Sequence, residues 1–243
     1  MRKVLALVFC LVAAGQVAAQ ESPRAVIEKA IQAHGGADQL RKARMLVRSF
    51  KGEIFSFGAT VPFSGDVTMS LPEQCRWSFE VKAGGQGVPV SLAINRDKGW
   101  RSGGGAVKEM TKQELDEQRE EAYTIWVCTL TPLLDKPFEL APLPETKVNG
   151  EPALGVKVTN KGHADIKLFF NKQTGLLVKA ERRGTEAGLE VAKEYLFSEH
   201  KDFDGVKLPT KNVEMSNGKK VADWTATGYK FMSRVDDNLF SRP

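Results

Sequence analysis

Residues 67–94 read VTMSLPEQCRWSFEVKAGGQGVPVSLAI, and this stretch decides the fold class. Val67, Met69 and Leu71 alternate with Thr68 and Ser70. Trp77, Phe79 and Val81 alternate with Ser78, Glu80 and Lys82, and Val90, Leu92 and Ile94 repeat the pattern. A period of two sends every second side chain to one face of a strand, so each run is a strand with one apolar face. Pro72 and Gly84-Gly85-Gln86-Gly87 separate the runs as turns. Three half-buried strands joined by short turns make an antiparallel meander.

The same period extends in both directions. Upstream, Leu46, Phe50 and Ile54 share one parity. Downstream come Val156 and Val158; Ile166, Leu168 and Phe170; Leu177 opposite Val178 and Ala180; Tyr195 and Phe197; Val206 and Leu208; Val213 and Met215; Tyr229 and Phe231. Asn149-Gly150 and Asn217-Gly218 are strong hairpin turns, and Lys161-Gly162, Thr174-Gly175 and Asp204-Gly205 are weaker ones. The pattern predicts a mainly β (α+β) domain over residues 20–243, with one antiparallel sheet of about ten or eleven strands. A sheet that wide must curl, and a wide enough curl encloses a ligand cavity.

Two helices break the alternation. Ser22 caps the first, Pro23 opens it, and Val26, Ile27, Ala30 and Ile31 form its apolar face before Gly35 and Gly36. A short turn over Ala37 to Lys42 follows, anchored by Leu40. The second helix starts at Thr111, whose spacing to Glu114 fits a capping box. Leu115, Ala122, Ile125 and Trp126 lie on one side of it, and Asp116, Glu117, Glu120 and Glu121 on the solvated side. It is expected to act as a lid. Pro132, Pro137, Pro142 and Pro144 then read as a connection.

Composition removes several functional classes. A content of 42 % hydrophobic and 27 % charged residues in 243 is enough for a core and excludes wholesale disorder. Residues 1–19 have the form of a signal peptide: Arg2 and Lys3, the apolar run Val4 to Val12, then Val17-Ala18-Ala19. Phe9 is too large for a lipobox ahead of Cys10, so the protein is expected in the periplasm with its leader removed. No later stretch is long and apolar enough to span a membrane. A net charge of +5 is too small for a nucleic-acid footprint.

No catalytic set emerges. His34, His163 and His200 show no metal-ligand spacing, and no Gly-x-Ser-x-Gly elbow occurs. Ser198 to Lys201 and Ser216 to Lys219 have a Ser-x-x-Lys spacing without its partner motifs, and Gly103-Gly104-Gly105 lacks the lysine of a phosphate loop. The protein is expected to be no enzyme and to need no cofactor or metal. Cys75 and Cys128 fit either a disulfide or two buried thiols. The aromatic surplus fits either a packed core or a cavity wall. The candidates for ligand contact are Phe50, Phe55, Phe57, Trp77, Phe79 and Trp100 on the sheet, with Leu115 and Trp126 on the covering helix.

The order of motifs resembles that of the LolA-like family of periplasmic lipoprotein carriers and outer-membrane lipoprotein-sorting proteins. The likeness rests on His34-Gly35-Gly36 with Leu40, Asp97-Lys98-Gly99-Trp100, Asn171 to Leu176, Phe203-Asp204-Gly205-Val206-Lys207-Leu208-Pro209, and Asp236-Asp237-Asn238-Leu239-Phe240. It implies an incomplete barrel, helices closing its mouth, and an apolar cavity for acyl chains. Lipids, lipoproteins and envelope receptors are the implied partners. The alternative is an envelope interaction or sensor module with a filled core and no lipid cargo.

Overall fold

The computed structural model describes residues 21–56 and 58–242. The expected signal peptide over residues 1–19 and the candidate Phe57 lie outside the described residues. Helix α1 (Pro23–Ala33) and the single turn α2 (Ala37–Leu40) lead into six strands: β1 (Met45–Ser56), β2 (Ala59–Ser70), β3 (Gln74–Ala83), β4 (Gln86–Asn95), β5 (Lys98–Gly103) and β6 (Lys108–Glu109). Helix α3 (Lys112–Cys128) follows. Seven more strands complete the sheet: β7 (Glu139–Val148), β8 (Glu151–Thr159), β9 (Ile166–Asn171), β10 (Leu177–Glu186), β11 (Leu189–Phe203), β12 (Val206–Ser216) and β13 (Lys219–Phe231).

All thirteen strands form one unclosed antiparallel sheet, an incomplete barrel in the order β6-β5-β4-β3-β2-β1-β13-β12-β11-β10-β9-β8-β7. The expected ten or eleven strands become thirteen, because β5, β6 and β7 have no counterpart among the alternating runs while two of those runs join in β12. Pro142 and Pro144 lie within β7 instead of a connection. This strand is an edge of the sheet, where one side of the backbone has no ladder partner, and a missing N–H is tolerated there. The runs Val206–Leu208 and Val213–Met215, separate in the sequence pattern, both belong to β12, which continues through Pro209. The β12–β13 ladder runs only from Ser216↔Lys219 to Lys211↔Thr225, so Pro209 has no pairing to lose on that side.

Topology places α3. The chain leaves the sheet at edge β6 and re-enters at the opposite edge, β7, so the intervening helix crosses the inner face. Its 17 residues span about 25 Å at 1.5 Å per residue. Thr111 and Glu114 form the capping box that the spacing predicted, with Glu114 N donating to Thr111 Oγ1 at 3.2 Å and Thr111 N to Glu114 Oε2 at 2.8 Å. A Cβ on Gly99 would come within 2.9 Å of Leu115 Cδ1 and 2.7 Å of Met110 Sδ, so the glycine lets the start of α3 rest on β5.

The inner face carries two apolar clusters. On the β7–β10 side, Val26, Ile27, Ala30 and Ile31 of α1 pack with Tyr123 and Val127 of α3 against Val156, Leu168 and Phe170. On the β1–β4 side, Leu46, Phe50, Val67, Met69, Cys75 and Ile94 meet Ala122 of α3 and Trp224 of β13. Trp126 and Phe231 touch both clusters. The end of α1 is fixed to the β11–β12 turn: Gly35 has φ +111° and approaches so closely that a Cβ would lie 2.0 Å from Gly205 O. Lys207 N also donates to His34 O at 3.0 Å. The outer face of β3 and β4 is covered by a short 3-10 turn, Asp237–Phe240, held by Gln74 Nε2 to Asp237 Oδ1 and Arg76 Nη1 to Leu239 O, both 3.1 Å.

Candidate functional site

The β1–β4 cluster does not fill the space beneath α3. A cavity of about 380 Å³ remains between the helix and the inner face. One wall is aromatic. Phe50 lies 5.4 Å from Phe63, 6.4 Å from Phe79 and 5.9 Å from Trp224 between ring centroids. Phe63, Trp77, Phe79 and Leu92 are half-buried and keep apolar surface open to a ligand. The roof is the α3 stretch of Gln118, Glu121, Thr124, Ile125 and Cys128.

Of the described sequence candidates, Phe50, Trp77 and Phe79 line this cavity, and Phe55, Trp100, Leu115 and Trp126 do not. Phe55 has the opposite parity to the cavity-lining Ile54 and lies under Lys220 Nζ, 4.5 Å from its ring centre. Trp100 pairs with Ala93, on the parity opposite to the cavity-lining Leu92. Leu115 packs into the β1–β4 cluster, while Trp126 stands 5.9 Å from Tyr123 and 5.8 Å from Phe138. Cys75 and Cys128 are not bonded to each other in the structure; Cys75 is buried and Cys128 half-buried. Burial pushes the Cys128 thiol up to about 12 and that of Cys75 well above its ordinary value.

Sequence reasoning missed the polar part of the site. Glu121, read as part of a solvated face, points inward. Its carboxylate accepts from Arg182 Nη2 at 2.6 Å, Tyr195 Oη at 2.7 Å and Lys193 Nζ at 3.3 Å. Burial raises its pKa, but Lys193, Arg182 and the Tyr195 hydroxyl together hold it below the usual carboxylate value. Glu214 accepts from Trp224 Nε1 at 2.9 Å, and its pKa is raised by burial and by the charge of Glu121. His200 stands 5.7 Å from His34. Burial, then His34, lowers its pKa to about 4. Arg48 lies on β1 between Leu46 and Phe50, with its guanidinium carbon 4.4 Å from the centre of the Trp224 ring. The available signal was parity: Arg48 and Lys193 are charges on the same face as apolar neighbours.

No family model matches the chain, and no curated protein matches it. Solved structures do. A LolA superfamily protein from Nitrosomonas europaea superposes with a TM-score of 0.58 at 12 % identity, covering 91 % of this chain and 98 % of its own. The chain has a LolA-like fold. A domain from Vibrio parahaemolyticus named for outer membrane lipoprotein sorting gives a TM-score of 0.51 at 12 % identity over 84 % of this chain and 94 % of its own. A DUF1329 family protein from Desulfovibrio piger gives 0.56 at 12 % identity over 91 % and 98 %. In this LolA-like frame the quoted motifs mark junctions. His34-Gly35-Gly36 meets Asp204-Gly205, Gly99 meets α3, and Asp236 to Phe240 seals the outer face.

Proposed function

We propose that the protein is an exported, non-enzymatic carrier or binding protein for the acyl chains of a lipid or lipoprotein. The observation that carries this reading is the unfilled, aromatic-walled cavity of about 380 Å³ beneath α3. Each methylene withdrawn from water is worth about 0.8 kcal/mol, so an alkyl chain gains several kcal/mol in such a site without any specific polar contact. The LolA-like fold of a lipoprotein-sorting domain supports the same reading. Residues 1–19 are the proposed leader, which places the protein in the periplasm. N-terminal sequencing of the exported protein should start at Gln20.

The function is tested by native mass spectrometry of gently purified protein and by displacement of a fluorescent fatty acid. Co-purified lipid or saturable displacement supports the carrier. A protein that emerges empty and never binds the probe overturns it.

A further inference from the structure

We propose that Arg48 and Asn212 form a subsite inside the cavity for the oxyanion head of a single-chain amphiphile. This rests on the acyl-chain reading and narrows its substrate class.

The two side chains flank Trp224. Arg48 stacks on the indole, and Asn212 is paired with Trp224 across the β12–β13 ladder. Both line the cavity. Asn212 is only 3 % exposed, yet its Nδ2 has no hydrogen-bond partner among the described residues, and neither has the buried Nε of Arg48, whose guanidinium otherwise meets the Tyr229 hydroxyl. His200 Nε2, elsewhere in the cavity lining, is also buried and without a partner among the described residues. A buried donor left unpaired costs about 1–3 kcal/mol, more for a charged one. The guanidinium and the amide NH2 are both donors, so the missing partner is an acceptor.

Charge gives the sign of that acceptor. The group around the cavity contains Arg48, Arg182 and Lys193 against Glu121, Glu214 and Glu186, the last paired with Lys193 at 3.3 Å. Glu121 is already shared by Arg182, Lys193 and Tyr195. Glu214 is left as the nearby carboxyl for Arg48, and its raised pKa weakens it as a counter-ion. Arg48 is thus the cation of this set without an ion-pair partner among the described residues, and an incoming anion supplies one. Size limits the rest of the ligand: 380 Å³ lies at the low end of the roughly 300–1,000 Å³ range of ligand pockets, suited to one alkyl chain and not to several. An alkyl carboxylate and a single-chain alkyl phosphate share this chemistry.

The test compares dodecanoate, dodecyl phosphate and dodecanol by calorimetry, below their micelle concentrations. The wild type is expected to bind at least one of the two anions about tenfold or more tighter than the alcohol, as a charge-assisted hydrogen bond implies. The tighter of the two identifies the head group. Arg48→Gln should remove that preference while dodecanol binding stays within about twofold, and Arg48→Lys should retain part of it. Asn212→Leu should weaken the anion alone. If dodecanol matches both anions in the wild type, the subsite is overturned and the carrier reading stands. If none of the three binds, the carrier reading falls and takes the subsite with it. The wild-type comparison remains decisive even where Arg48→Gln fails to fold.

Discussion

The Arg182 side chain is 2 % exposed and its charge is met by Glu121 from another element. Breaking a buried pair by removing one partner is costly because the other charge is left without compensation. Glu121→Ala should therefore destabilise the protein by about 3 kcal/mol in urea denaturation, and adding Arg182→Met should recover part of that loss. His200 and His34 respond to pH in a definite direction. His200 titrates near 4 in the folded protein, below its ordinary 6.5, so the unfolded chain takes up the proton first. Its contribution is complete above about pH 6.5 and lost as the pH falls toward 4, amounting to about 2 kcal/mol once its partial exposure is allowed for. His34, also lowered by burial, acts in the same direction. His200→Gln should reduce the difference between denaturation midpoints at pH 7 and pH 4.5. An unchanged difference would count against a buried neutral imidazole.

At the scale of elements, α3 is a strap and not a flap. It is covalently continuous with both edges of the sheet and pinned at intervals: Glu114 to Arg101 of β5 at 2.7 Å, Glu120 to His163 at 2.6 Å, and Glu121 to β10 and β11. Thr111→Ala removes half of the capping box and should cost about 1 kcal/mol, read as a shift in thermal midpoint. The capping box was legible in the sequence because it is a local motif four residues long. The strap was not, since it follows from β6 and β7 being opposite edges, and strand order leaves no local trace. β7 was missed for a related reason: Pro142 and Pro144 exclude a central strand but not an edge one, and the edge is a property of the whole sheet.

For the whole molecule, the alternation of residues 67–94 was sufficient to read an antiparallel sheet; its parity agrees with Trp77 and Phe79 on the inner face, as that of Leu46, Phe50 and Ile54 does for Phe50. The cavity was not legible, because inward aromatics show the same period whether they fill a core or line a hollow. The free state of Cys75 and Cys128 also depends on where distant segments meet. With Cys75 buried, Cys128 half-buried on the cavity roof and both pKa values raised, a thiol reagent at pH 8 should label the native protein far more slowly than the urea-unfolded chain, with two thiols counted after unfolding without reductant. Fewer than two would restore the disulfide.

Strand order also has a kinetic consequence. Every ladder joins strands consecutive in the chain except β1–β13, which brings Ile54 beside Ala222. The two meanders, β1–β6 and β7–β13, can each zip from their own hairpins, but the seam between them must close a loop of more than 150 residues. The seam also carries Phe50 and Trp224 to opposite sides of one ladder, so the hollow comes into being only when that ladder closes. Nascent chain lacking β13 has half a wall and no chamber. Substitutions along the seam should slow refolding if its closure is the slow step, whereas those confined to the later hairpins should mainly quicken unfolding.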